Sequence, residues 1–242
     1  MKKIVAYVGC NKKKSDSNLI HYIDKIIIAL RKEFEIDFIL YTPNNFPLHM
    51  CRGCNNCFTS HQCPLDKLDS MEKIKKDFLE SDFIILGSPV YMHNVSGGMK
   101  NFLDRIAYWS HIFALRGKNA MVIVSASSNG TSLVSGYLER MLHFFGSPVV
   151  AKINLLGLKG FDDDMFEQYI VSISNSLKIP ILSNDAVEKN FSMLKIVMKN
   201  ISKLDAKNIE LMYWEKYNLL TVDKLSQIVE DEAKRYLTIS AD

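Results

Sequence analysis

Five short apolar runs, each divided from the next by a segment of helical periodicity, constrain this chain more than any other feature. The runs are 3–9, 36–41, 83–87, 120–125 and 149–155. They are continuous rather than alternating, so each needs cover on both faces, the condition of a strand in a parallel sheet. Helical periods follow them at 18–34, about 69–80, 98–108, 132–145 and 165–177. In the first, Leu19, Ile23, Ile26, Ile27 and Leu30 recur on one face. Right-handed crossovers then predict a doubly wound five-stranded parallel α/β sheet in the order 2-1-3-4-5. Beyond Leu182-Ser183-Asn184-Asp185, a junction with a helix cap, strands stop. Segments 186–201, 206–217 and 222–236 read as charged amphipathic helices. The expected organisation is a sheet domain over 1–183 and a helical C-terminal extension over 184–242.

Composition narrows the partners. The 242 residues are enough to bury a core without disulfides. Thirty Lys and Arg against 27 Asp and Glu leave a charge of +3, too mild to point to nucleic acid or an anionic membrane. No stretch of about 18 apolar residues is present, so no membrane span is expected. The apolar run near the start is too short for a signal-peptide core, and a cytoplasmic location is expected. In that compartment clustered cysteines read as metal ligands or redox groups before disulfides.

In a parallel open sheet, ligands bind beyond the carboxyl ends of the strands, near the switch in strand order. Four loops there have unusual composition. The first, Gly9-Cys10-Asn11-Lys12-Lys13-Lys14-Ser15-Asp16-Ser17-Asn18, puts small and hydroxyl residues and three lysines before a helix start. It is a candidate phosphate site, or equally a capped turn with a solvated lysine run. It has no Walker ending, so nucleotide hydrolysis is not indicated. After the third run comes Ser88-Pro89-Val90-Tyr91-Met92-His93-Asn94-Val95-Ser96, which could lay amides and an aromatic along a planar ligand, or simply begin a helix. After the fourth, Ser125-Ala126-Ser127-Ser128-Asn129-Gly130 lets a ring approach the backbone, or forms a mobile capped loop.

The loop after the second run holds four of the five cysteines: Cys51, Cys54, Cys57 and Cys63, spaced C-x2-C-x2-C-x5-C-P. That spacing approaches a bacterial ferredoxin run, and it converges thiolates in one compact loop. Four-Cys zinc sites pair two separated knuckles, so zinc fits less well, and a dithiol needs only two of the four. Iron–sulfur, zinc, dithiol and vacancy stay open, with iron–sulfur first. Cys10 sits in another loop and reads as a small residue at a tight turn.

Together these loops resemble the flavodoxin-like NAD(P)H-dependent FMN reductase superfamily, and its iron–sulfur flavoprotein branch in particular. The resemblance covers about residues 2–179. Gly9, Lys13, Ser15 and Ser17 match the phosphate loop, with Cys10 and Asn11 in place of the usual Ser-Pro and Asp16 where Asn is common. Gly87-Ser88-Pro89-Val90-Tyr91, Ser96, Met99-Lys100, Phe102 and Asp104-Arg105 resemble the family's GSPVY…S…MKxFxDR. The Asp-Asp pair that follows the family's cysteines stands here as the separated Asp66 and Asp69.

The resemblance implies an FMN-dependent oxidoreductase with a 4Fe–4S cluster on Cys51, Cys54, Cys57 and Cys63, and NAD(P)H as a donor. It implies FMN contacts from Cys10, Lys13, Ser15, Ser17 and Asn18 at the phosphate, and from Pro89, Val90, Tyr91, Met92, Asn94, Ser96, Ser125, Ser127, Ser128, Asn129 and Gly130 around the ring. A small-molecule or protein electron partner and a homodimer or homotetramer also follow from it. A cluster-free FMN or quinone reductase and a flavodoxin-type carrier are the alternatives. No acid or base stands out, so no catalytic side chain is assigned. Because strands one and two are neighbours, cysteines and flavin are expected on one edge, in one chain or across a subunit boundary. In the extension, Tyr213, Trp214 and Tyr217 form an aromatic stripe read as packing rather than substrate stacking.

Overall fold

The computed structural model describes residues 1–157, 163–205 and 207–239. The end of the expected extension, 240–242, and Ala206 at the start of its expected second helix lie outside them. Parallel strands β1 (Lys2–Val8), β2 (Ile36–Tyr41), β3 (Phe83–Tyr91), β5 (Asn119–Ala126) and β6 (Val149–Leu156) lie in the order β2-β1-β3-β5-β6. A two-residue strand, β4 (Asn94–Val95), pairs antiparallel with β3 alone. With β4 set aside, the order is the flavodoxin-like one expected.

Two faces bury the sheet. Helix α1 (Asn18–Leu30) covers one with Leu19, Ile20, Ile23, Ile26, Ile27 and Leu30, joined by Ile173 and Leu177 of α7 (Asp163–Lys178). On the other lie α3 (Met71–Glu80), α4 (Gly97–Arg105), α5 (Trp109–Ile112) and α6 (Thr131–Phe144). Between β2 and α3 the chain forms a short helix, α2 (Asn56–Ser60), within the cysteine segment and a single 3-10 turn, Asp66–Leu68, after it.

Two of the boundaries that differ from expectation bear on the site. The third strand does not stop at Gly87: Ser88 and Pro89 pair with Val124 and Ser125, and the strand runs on to Tyr91. Parallel pairing and the β4 hairpin override the turn-like look of Ser-Pro. Met92 and His93 close that hairpin with φ of 48° and 58°, the left-handed pair of a two-residue turn. The helix expected over 98–108 ends at Arg105, because Ile106 leaves helical geometry; the chain turns and restarts as α5.

Helices α8 (Asp185–Leu204), α9 (Ile209–Lys216) and α10 (Leu225–Ile239) form the C-terminal part. Asn184 accepts from the Val187 N–H at 3.0 Å, as expected of the junction, and Asn208 caps α9. Their apolar residues Val187, Phe191, Met198, Trp214, Leu219, Leu225 and Ile228 close around Phe113 of the sheet domain. Trp214 is fully buried, stacks on Phe191 at 5.5 Å and donates to the His111 carbonyl at 2.7 Å. Among the described residues no helix is long and apolar enough to cross a membrane.

Candidate functional site

The carboxyl edge of the sheet carries a cavity of about 640 Å³ where β1 and β3 lie side by side. Its walls come from the ends of β1, β3, β5 and β6 and the first turn of α1. Cys10, Ser17, Asn18, Pro89, Val90, Tyr91, Ser125 and Ser127, all expected at a cofactor, line it together. At its base the buried Ser17 caps α1, accepting from the Ile20 N–H at 3.4 Å, and donates to Cys10 Sγ at 3.6 Å. A thirteen-residue helix therefore aims its N-terminus, the positive end of its dipole, at this cavity. Lys12 adds a cation to the wall.

Other expected residues lie elsewhere. Ser15 donates to Asp16 at 2.8 Å, and Lys13 precedes a one-turn 3-10 segment; neither lines the cavity. Met92, Asn94, Ser128 and Asn129 are exposed beside it. Gly130, at φ +86°, packs near Val90 and His93 and so joins the β5 loop to the β3–β4 hairpin. Ser96 is buried: its hydroxyl donates to the Gly9 carbonyl and caps α4 by accepting from the Met99 N–H, while its own N–H donates to Ser88 Oγ at 3.0 Å. It ties two loops together beneath the cavity. His21 and Tyr22 on α1, Leu155 at the end of β6 and Gly157 just after it are lining residues that the sequence reading did not single out. The rule that every strand's carboxyl end contributes would have found the last two.

A second cavity, about 570 Å³, is lined by Cys51, Cys54, Cys57 and Cys63 with Arg52, Phe58, Asp104 and Arg105. It shares no lining residue with the first. All four thiols are free. Gly53, Asn55 and His61 take positive φ of 64°, 59° and 53°, which turns the loop back on itself so that four separate cysteines face one space. Among the described residues no group of three or more His, Cys, Asp or Glu side chains is placed to hold a metal ion. The donor set nonetheless suits a soft metal: four sulfur ligands on one loop, and beside them a buried Arg105 Nε–H with no hydrogen-bond partner. Burial pushes the Cys57 thiol pKa up, with the neighbouring Cys63 and Cys51 adding to it.

Side chains from distant helices anchor that loop. Arg105, fully buried at the end of α4, spans Asp66 and Asp69, each at 2.7 Å, and also donates to the His49 carbonyl at 2.9 Å. Lys75 of α3 reaches Asp66 at 2.5 Å. Burial opposes ionisation of Asp69, but hydrogen bonds from Arg105 and from the His49 and Met71 amides outweigh it and hold its pKa below the usual value. Asn101 accepts from the Cys51 N–H at 3.0 Å. The separated aspartates thus meet on one arginine of the GSPVY…MKxFxDR segment. From the C-terminal side, Tyr213 of α9 sits edge-on to His61 at 5.7 Å, Tyr108 stacks on the same imidazole at 5.9 Å, and Glu210 pairs with His111 at 2.8 Å.

Comparison with known proteins agrees with this fold. An iron–sulfur flavoprotein of Archaeoglobus fulgidus is 31% identical over 150 residues, 60% of this chain; the chain spans 64% of that relative's own length. An iron–sulfur flavoprotein of Clostridioides difficile is 25% identical over 225 residues, 86% of this chain and 95% of the relative. In three dimensions the fold is similar to an FMN-dependent NADH-azoreductase of Bacillus anthracis solved in complex with FMN, with a TM-score of 0.54 at 12% identity, covering 74% of this chain and 98% of that one. The profile of NADPH-dependent FMN reductases matches residues 2–159, and the chain therefore belongs to that family.

Proposed function

We propose that this chain is an FMN-dependent oxidoreductase that holds an iron–sulfur cluster as a second redox centre. The observation that carries the flavin half is the cavity at the β1/β3 switch point, with a helix N-terminus below it and small polar walls around it. Backbone amides between Cys10 and Asn18 would hold the phosphate, with Lys12 balancing its charge. Pro89, Val90 and Tyr91 from β3, and Ser125 and Ser127 from β5, would flank the ring, while Gly157 closes the far wall. FMN, when bound, accepts a hydride from a nicotinamide and releases electrons singly.

Cys51, Cys54, Cys57 and Cys63 would hold the cluster, which passes electrons one at a time. Arg105, Asp66 and Asp69 fix the loop on α4, and His61, Tyr108 and Tyr213 cover it, keeping water from one side. In this reading residues 1–183 supply the groups that bind both cofactors, and α9 of the C-terminal extension over 184–242 packs against the cysteine loop. The names of the archaeal and clostridial relatives support the cluster. NAD(P)H as donor, a small-molecule or protein acceptor, a homo-oligomer and a cytoplasmic location belong to the same reading.

A cluster-free FMN reductase is the second reading, favoured by the absence of a preformed metal-binding group among the described residues. Flavin, iron and acid-labile sulfide measured on anaerobically purified protein separate the two. Flavin with iron and sulfide in equal amounts is expected. Flavin alone would leave the second reading, and neither would remove both.

A further inference from the structure

We infer that Arg105 donates a hydrogen bond, through Nε–H, to the sulfur-bearing group held by Cys51, Cys54, Cys57 and Cys63, and thereby sets its reduction potential. The inference rests on the reading above that these thiolates carry an iron–sulfur cluster. Its basis is an unsatisfied donor in a residue otherwise fully engaged. Among the described residues, the buried side-chain polar atoms without a partner are His61 Nε2, Arg105 Nε and Ser183 Oγ. Of these residues only Arg105 lines the cysteine cavity.

The remaining donors of Arg105 leave no freedom of orientation. Nη1 donates to Asp69 Oδ2 at 2.7 Å and to the His49 carbonyl at 2.9 Å; Nη2 donates to Asp66 Oδ1 at 2.7 Å and to Asp69 Oδ1 at 3.3 Å. The guanidinium plane is held by both aspartates, and its Nε–H stays protonated at any relevant pH. Buried N–H groups find acceptors in native proteins. The charged acceptors lining this cavity are the four cysteine sulfurs and Asp104, and Asp104 is already paired with Lys100. Cys63 lies close enough to Arg105 for their charges to interact. Hydrogen bonds to cluster sulfurs favour the more negative, reduced form and raise the potential. Arg105 gives up no proton and carries no electron in this role; it is a positioning residue.

The same residue clamps both ends of the loop, because Asp69 also accepts from the His49 N–H at 2.9 Å just before Cys51, and Asp66 follows Cys63 closely. A plain loss of Arg105 would therefore confound folding with tuning. Arg105→Lys keeps the charge opposite Asp66 and Asp69 and removes Nε–H. In the full-chain holoprotein, potentiometric titration followed by electron paramagnetic resonance should show a midpoint moved to more negative potential, with flavin content unchanged. A second measurement needs no change at Arg105. Holoprotein labelled with 15N at arginine Nε should show a nitrogen coupling to the reduced cluster in pulsed resonance spectra. Arg52→Lys in the same labelled protein should retain it, since Arg52 is the other arginine lining the cavity. An unchanged midpoint in Arg105→Lys, or a labelled wild-type cluster without nitrogen coupling, would overturn the inference while leaving the cluster in place. Wild-type protein without iron and sulfide would overturn the cluster reading and this inference with it.

Discussion

The two cavities are built on different principles. The cavity at the sheet edge forms where strand ends and a helix N-terminus converge, with small residues such as Ser17, Ser125 and Ser127 between larger ones such as His21, Tyr22 and Tyr91. The cysteine cavity is made by side chains reaching across the chain, with Arg105 meeting Asp66 and Asp69, and Asn101 meeting Cys51. A site at strand ends inherits its rigidity from the sheet. The cysteine loop, with only one short helix of its own, borrows rigidity from α3, α4 and α9. Damage to the two should therefore separate: loss of flavin from one set of changes, loss of iron from another.

The largest effect is expected from Arg105→Met. It leaves Asp69 without its cation and Asp66 with Lys75 alone, which costs about 3–5 kcal/mol for a broken buried pair. Urea unfolding should report that loss, and iron content should fall before flavin content does. An equal fall of both would show that the cavities are one cooperative unit. Gly9→Ala tests the other side. A Cβ there would sit 2.8 Å from the Met99 amide, which belongs to the α4 backbone and cannot swing aside. About 1–3 kcal/mol of overpacking is expected, with weakened flavin retention and iron unchanged. Fluorescence titration with FMN measures it.

Ser17→Ala removes the cap of α1 at the expected phosphate site. About 1 kcal/mol of stability should go, with looser flavin binding and no effect on iron. The smallest effect on the cofactors belongs to Asp77, which lines neither cavity. Burial raises its pKa, but hydrogen bonds from Lys3, Lys73 and Tyr41 win and bring it to about 2. A depressed folded pKa means that its contribution is present above the ordinary aspartate value and fades as the pH falls from roughly 4 toward 2. Stability measured across that window should lose slope in Asp77→Asn, with both cofactors unaffected at neutral pH.

What was legible in the sequence follows the same division. Continuous apolar runs and helical periods identified every long strand, since burial on both faces leaves no other pattern. The edge cavity was legible in outline because loop position follows from strand order. Ser96, expected near the ring, has a hydroxyl that works inward, on Gly9 and Met99, a role that spacing does not reveal. The extension of β3 through Ser88 and Pro89 was hidden by residues that mark turns when a parallel neighbour is not known. The Arg105 network was invisible for a different reason. Its partners lie 36 and 39 residues away, and no local period links them. The cysteine spacing suggested a ligand set, but the scaffold that fixes the loop is tertiary.

The central claim is that one chain carries a flavin at its sheet edge and an iron–sulfur cluster on the cysteine loop. Anaerobic purification followed by an absorption spectrum before and after dithionite, with flavin, iron and acid-labile sulfide measured on the same sample, tests it most directly. The account predicts FMN together with iron and sulfide in equal amounts, and a broad iron–sulfur absorbance beneath the flavin bands that bleaches on reduction. Stoichiometric flavin with neither iron nor sulfide would contradict it.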